Sequence, residues 1–127
     1  MKLADLPPGA IVGVSSLRRS EAVSSMRPDL VLRSIRGAVD ARVAKVLCGE
    51  YDATVLALAG LERLDLMDHV AEVFDTAVFP PAAGQGALAV QCRRDDVFTR
   101  RVLREIDDHS LHASVDAERF AASDAIR

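Results

Sequence analysis

Val12-Gly-Val-Ser-Ser-Leu-Arg-Arg19 is the stretch on which the reading of the fold turns. A short apolar run ends in two serines, and two adjacent arginines follow one residue later. Ile11 to Val14 reads as a buried strand. Leu17 to Met26 reads as a helix that stops before Arg27, because a residue preceding proline is pushed out of the helical region. At such a strand-to-helix change, Ser15 or Ser16 can cap the helix, and the free N–H groups of its first turn favour an anion. Arg18 and Arg19 add bidentate contacts to carboxylate or phosphate. A capped helix with two solvated arginines is the plainer alternative, and the surrounding sequence has to choose between them.

Working outward, the same pattern recurs. Leu30 to Ser34 is a second strand and Ala38 to Cys48 a helix closed by Gly49, with Val39, Val43, Val46 and Leu47 along one stripe. Asp52 to Ala59 is a third, nearly continuous apolar strand. One or two short helical pieces are expected over Leu61 to Val70, and an extended segment over Val73 to Phe79. Strands alternating with helices imply right-handed βαβ crossovers and a largely parallel sheet. Pro80-Pro81 breaks the chain, Gly86 to Cys92 resumes a strand, and Asp95–Asp107 and Leu111–Ala122 are amphipathic helices. Residues 1–10 are a lead-in in which Pro7-Pro8-Gly9 forbids regular structure.

Ligands of an open α/β sheet gather beyond the carboxyl ends of its strands, and each expected junction offers arginine there. Arg18 and Arg19 follow the first strand, Arg36 follows the second beside Gly37, and Arg63 follows the third beyond Gly60. Arg42 falls about 60° from Val39 around its helix, at the border of the apolar stripe. Arginine suits carboxylate forks where lysine would serve a single point charge. The expected ligand therefore carries several carboxylates or phosphates.

Composition agrees. The 127 residues suffice for one ordinary domain, half of them are apolar, only 4% are aromatic, and the net charge is −3. Residues 11–42 hold six arginines (18, 19, 27, 33, 36, 42) against three acids (Glu21, Asp29, Asp40), a local +3 that leaves −6 elsewhere. A basic patch on an acidic chain points to a local anionic ligand and away from nucleic acid. The absence of a glycine fingerprint or Walker sequence disfavours nucleotides. No stretch reaches 18 apolar residues, so a membrane span is excluded. Cys48 and Cys92 have no metal-ligand spacing and read as reduced, buried residues of a cytosolic protein. His69, His109 and His112 read as solvated surface, and the pairs Asp95-Asp96 and Asp107-Asp108 as helix starts and turns.

"VGVSSLRRS", "PDLVLRSIRGAVDARVAKVLCGEYDATVLALAGLERL" and "FPPAAGQGALAVQCRRDD", in that order, closely resemble the porphobilinogen deaminase (hydroxymethylbilane synthase) family over residues 8 to 122. The resemblance implies a cytoplasmic, three-domain transferase of tetrapyrrole and heme biosynthesis, whose first two domains are like periplasmic binding proteins. It joins four porphobilinogen molecules into hydroxymethylbilane and releases ammonia at each step. The chain grows on a covalently attached dipyrromethane cofactor. By position, Ser15, Ser16, Arg18 and Arg19 match the family's cofactor-carboxylate motif. Arg36 and Arg42 match arginines that hold substrate and the linear oligopyrrole. Leu56, Ala57, Gly60 and Arg63 match the cleft lining, and Gln85 the segment that recrosses toward the first domain.

The implied fold is an α/β, periplasmic-binding-protein-like lobe with a mostly parallel mixed sheet flanked by helices, plus C-terminal helices. Residues 1–10 would lead into a second-domain lobe at 11–80. Residues 81–108 would be the return strand and helix of the first domain and hinge, and 109–127 the truncated start of the third domain. Four departures accompany the match. The family's catalytic aspartate lies upstream of this sequence, and its cofactor cysteine lies just past Arg127, matched by neither Cys48 nor Cys92. Ala38 stands where asparagine is usual, and Ala41 where threonine is. The expectation is thus a carboxylate-binding fragment with no catalytic residue and no metal, inactive without its other domains. Its unpaired return strand should expose an apolar edge that invites dimerisation. Two alternatives are a stand-alone anion-binding module of the periplasmic type, without catalysis, and a degenerate paralogue kept as an interaction protein.

Overall fold

The computed structural model describes residues 1–124. They form two compact units, Met1–Pro80 and Pro81 onward. The first holds three parallel strands, β1 (Ile11–Val14), β2 (Val31–Ser34) and β3 (Ala53–Thr54), in the order β2-β1-β3. Helix α1 (Leu17–Met26) connects β1 to β2, α2 (Val39–Leu47) connects β2 to β3, and α3 (Leu58–Arg63) follows β3. Ile11 pairs with Val31 and Val14 with Ser34, while Val12 and Gly13 pair with Ala53 and Thr54. The sequence predicts a mostly parallel mixed sheet flanked by helices; the sheet is small, flanked by helices, and parallel throughout among the described residues.

Alternation along β1 divides the packing. Val12 and Val14 turn to one face, where they join Leu3, Leu6, Ala10, Val23, Leu30 and Phe79 in a buried cluster. Phe74 and Phe79 stack at its margin, with ring centroids 4.8 Å apart. Gly13 turns to the other face, against Ile35, which has no exposed surface, and against the buried Tyr51. The Tyr51 hydroxyl donates to the Ser34 carbonyl at 2.9 Å, so its ring is held in place.

The segment ahead of β1 is stitched into this core. Leu3–Asp5 forms a 3-10 turn, and its Leu3 N–H donates to Glu72 Oε2 at 2.8 Å. Arg27, just past α1, reaches back to it. Its Nη1 donates to the Leu3 and Ala4 carbonyls at 2.8 and 3.0 Å, and its Nη2 to the Leu6 carbonyl at 2.7 Å. The same guanidinium grips both oxygens of Asp29, at 2.8 and 2.7 Å. Counted in the sequence among the arginines of a basic patch, Arg27 is instead a clamp, with its donors committed to backbone and to Asp29.

That clamp predicts an acid-sensitive fold. The hydrogen bond from Arg27 holds the Asp29 carboxyl below its ordinary 3.8, and the Thr99 amide, then the Thr99 hydroxyl, do the same for Asp96. A carboxyl depressed in the folded state adds stability above its unfolded value, and that contribution is lost as pH falls through the folded value. Stability should therefore drop below about pH 3.8. Arg27→Met should lower the thermal midpoint at neutral pH and shrink the part of that acid loss due to Asp29. Arg27→Lys should not restore it, because an ammonium cannot fork. A midpoint in Arg27→Met equal to that of the parent chain would refute the clamp.

Two expected elements and the burial of the cysteines differ. The third strand is only Ala53–Thr54, because Leu58 already begins a helix, and Gly60 lies inside that helix. Its close packing explains the glycine: a Cβ there would stand 3.4 Å from Val39 Cγ2 of α2. Gly86 to Cys92 forms no ladder. Cys48 is exposed and Cys92 half-buried, so neither thiol is a core residue.

Helix α3 ends in a Schellman motif. Leu66 N–H bonds the Leu61 carbonyl at 2.9 Å and Asp65 N–H the Glu62 carbonyl at 3.1 Å. Asp65 occupies the left-handed position, with φ 56°, where glycine carries no Cβ penalty. Asp65→Gly should accordingly stabilise the chain by roughly 0.5–1 kcal/mol, readable as a higher denaturation midpoint at unchanged slope. A lower midpoint would count against the motif.

In the second unit, α4 (Val97–Arg104) is capped by Asp96, whose Oδ1 accepts the Thr99 amide at 2.9 Å. Helix α5 (His109–Asp124) begins on Asp108, which accepts the Ser110 and Leu111 amides at 3.0 Å. These acids are helix starts, as expected. The Gly84 amide donates to Glu118 Oε2 at 2.8 Å. Among the described residues none of this unit is buried, and Leu88, Phe98 and Ile106 are 77%, 78% and 70% exposed.

Candidate functional site: an arginine cluster at the carboxyl edge of the sheet

Parallel strands send all three carboxyl ends to one edge, and β1 is the middle strand. The chain leaves it as Ser15-Ser16 and enters α1 at Leu17. Ser16 is the N-cap residue, with extended backbone (φ −117°, ψ 127°), yet its side chain makes no cap bond. The first turn of α1 then presents Arg18 and Arg19. Arg18 Nη1 donates to the Pro80 carbonyl, and Arg19 Nη1 to the Val55 carbonyl just past β3, at 3.2 Å.

Arg42 comes to the same edge from α2. Its Nε donates to the Gly37 carbonyl at 2.8 Å and its Nη1 to Ser15 Oγ at 2.7 Å. Gly37 has φ 120°, a conformation that side-chain-bearing residues rarely adopt, so the strand-to-helix turn after β2 needs glycine. Ala38 holds the N-cap of α2 and makes no side-chain cap bond. Asparagine at that position would supply the missing acceptor.

Electrostatics single out Arg19. Partial burial lowers its pKa, and the positive charges of Arg18 and Arg42 lower it further. Guanidinium remains protonated in proteins, so three like charges converge. Among the described residues none of the three forms an ion pair; the carboxylate partners of this chain go to Arg27, Lys45, His109 and His112. Unneutralised, half-buried cations beside a serine hydroxyl fit a ligand that carries several carboxylates. They offer nothing to a metal, and no metal-competent group of histidine, cysteine or carboxylate occurs among the described residues.

The remaining candidates are placed less closely. Arg36 is exposed two residues past β2, and Leu56 and Ala57 follow β3 half-buried. Arg63 sits in the last turn of α3, beyond the first turn where the sequence placed it. Gln85 belongs to the second unit. Arg33, to which the sequence reading gave no site role, lines a shallow depression with Ser15, Ser16, Ser20 and Ser34. Its place on edge strand β2 was the available signal. His69, His109 and His112 are exposed, and the latter two lie 3.1 and 3.5 Å from Asp107. Among the described residues no helix is long and apolar enough to cross a membrane.

A small parallel sheet flanked by helices, with arginines at its carboxyl edge that form no ion pair among the described residues, defines an α/β class of domain. The sequence model described as "Porphobilinogen deaminase, dipyromethane cofactor binding domain" matches residues 1–101. The chain belongs to the porphobilinogen deaminase family. Proteins of that name from Brevibacillus brevis, Geobacillus kaustophilus and Sorangium cellulosum are 44%, 50% and 51% identical to it over 92% of its length. The chain spans 38–39% of the length of those relatives.

Proposed function

We propose that this chain is the carboxylate-holding part of a porphobilinogen deaminase. In the whole transferase, four porphobilinogen molecules are joined head to tail into hydroxymethylbilane, with ammonia released at each coupling. The observation that carries the reading is the convergence of Arg18, Arg19 and Arg42 at one strand end without an ion pair among the described residues. Acetate and propionate groups of the dipyrromethane cofactor and the growing oligopyrrole are the anions this cluster would receive. Ser15, Ser16, Arg18 and Arg19 make up the site for the cofactor carboxylates. Arg36, Arg42, Arg63 and the cleft residues Leu56, Ala57 and Gly60, with Gln85, serve the substrate. These groups bind and orient; the coupling chemistry belongs to an aspartate and a cofactor-bearing cysteine elsewhere in the enzyme.

On this reading residues 11–80 are one lobe of a periplasmic-binding-like pair. Residues 81–108 return toward the first domain and 109–127 open the third, positions 125–127 lying outside the described residues. The exposed Leu88, Phe98 and Ile106 are then surfaces that the enzyme's other domains cover, and in their absence they favour self-association. The enzyme works in the cytoplasm, where an exposed thiol such as Cys48 stays reduced.

The test is an amide NMR titration of the purified chain with a dipyrromethane bearing its acetates and propionates. Shifts should concentrate on Ser15–Arg19, Arg36 and Arg42, and should vanish with the tetra-ester. Equal shifts with acid and ester would overturn the carboxylate reading. Release of hydroxymethylbilane from porphobilinogen by this chain alone would overturn the division of labour.

A further inference from the structure

Arg42 differs from the other two cations in how it is held. Arg18 and Arg19 each lean one guanidinium nitrogen on a carbonyl, whereas Arg42 is fastened at two nitrogens by groups from two different junctions. Ser15 follows β1 and Gly37 follows β2, 22 positions later in the chain. A guanidinium is planar with five N–H donors in fixed directions. Fixing Nε on one acceptor and Nη1 on another sets that plane, and it leaves three donors for a ligand.

Ser15 Oγ accepts from Arg42, so its own hydroxyl hydrogen is left to donate. An acceptor already bonded to a cation is polarised and becomes a better donor. Gly37 contributes through its backbone alone. Its carbonyl accepts Arg42 Nε at 2.8 Å from a backbone with φ 120°, and a Cβ at that position would stand 3.2 Å from the Ala41 Cβ.

We infer that Ser15 and the Gly37 carbonyl are positioning residues for Arg42: they lock its guanidinium plane before ligand arrives, and Ser15 acts through Arg42 instead of as an independent ligand. The inference builds on the carboxylate-binding reading, but the locking belongs to the free chain. It makes the aim of Arg42 depend on the register of β1 against β2, because one acceptor follows each strand.

The experiment has two arms. In the free chain, side-chain NMR of the Arg42 guanidinium should show hindered rotation of its Nη groups and a slowly exchanging Nε–H. Ser15→Ala should free the Nη rotation, and Ser15→Thr, which keeps the hydroxyl, should restore it. Identical Arg42 spectra in the parent and Ser15→Ala chains would overturn the inference. In the second arm, dipyrromethane tetra-acid is titrated into Ser15→Ala, Arg42→Gln and the double variant. Each single change should weaken binding about tenfold, and the double should be no weaker than the worse single. Additive losses would make Ser15 an independent ligand and sink the positioning role. Failure of the parent chain to bind the tetra-acid would strike the carboxylate reading, while the free-chain spectra would still decide the locking.

Discussion

Replacing Arg18 and Arg19 together by glutamine is expected to weaken binding of a dipyrromethane tetra-acid by a factor on the order of a hundred or more, while leaving the folding midpoint unchanged or raised. Hydrogen bonds to charged groups contribute about 1.5–3 kcal/mol each, so losing two guanidinium contacts reaches that range. The stability side runs the other way. Burial and the charges of Arg18 and Arg42 lower the Arg19 pKa, which means that the folded state disfavours the charge Arg19 carries. Neutralising it removes that penalty at neutral pH. What the double variant gives up in the free chain is two hydrogen bonds to neutral carbonyls, Pro80 and Val55, which glutamine partly keeps.

Activity that needs a destabilised site trades against stability, so the two readouts are expected to move apart. Calorimetry of binding beside thermal unfolding separates the cases. A variant that loses midpoint and affinity in parallel would show the arginines to be structural, and the carboxylate reading would fall with them.

How much of this was legible in the sequence depends on the kind of signal. The ranges of β1 and α1 coincide with the expected ones, and β2 and α2 lie within a residue at each end. Pro28, Gly37 and Gly49 punctuate them, and backbone sterics act locally. The third strand was overextended because a continuous apolar run looks the same in a buried strand and a buried helix. Composition predicts a strand over Gly86 to Cys92, but a strand exists only against a partner, and none pairs with it among the described residues.

The site divides in the same way. The sequence puts Arg18 and Arg19 after β1 and Arg42 on a helix border, where a solvated arginine is the plainer reading, and the structure brings all three to one edge. The role of Arg27 was hidden because its acceptors are carbonyls of Leu3, Ala4 and Leu6, more than twenty positions upstream. Backbone acceptors leave no trace in side-chain chemistry. The Ser15–Arg42 bond was equally silent, for it needs the β1–β2 register to bring the two together.

That register leads to Gly13→Val, which should destabilise the chain by about 3 kcal/mol or more, with Gly13→Ala costing about 1–3 kcal/mol. Gly13 lies mid-strand in the central strand, paired with Arg33 on one side and Thr54 on the other. A Cβ built there meets Ile35 Cδ1 at 2.9 Å, Ile35 Cβ at 3.1 Å and the Tyr51 ring at 3.1 Å. Neither neighbour can yield. Ile35 is wholly enclosed, and Tyr51 is tied by its hydroxyl to the Ser34 carbonyl. The Gly13 carbonyl also accepts the Thr54 hydroxyl at 2.8 Å, so the strand cannot shift without breaking a second element. Domains of this size have only about 5–15 kcal/mol in hand, and the loss should appear as a lower denaturation midpoint at unchanged slope. The bare backbone at Gly13 lets Ile35 and Tyr51 lie across β1, and Ile35 leads directly into Arg36 and Gly37. Crowding Gly13 should therefore also disturb the Gly37 carbonyl and, through it, Arg42, so affinity should fall together with stability. That pairing is the opposite of the pattern expected for Arg18 and Arg19, and a Gly13→Val chain as stable as the parent would show that the β1–Ile35–Tyr51 packing does not hold this edge in place.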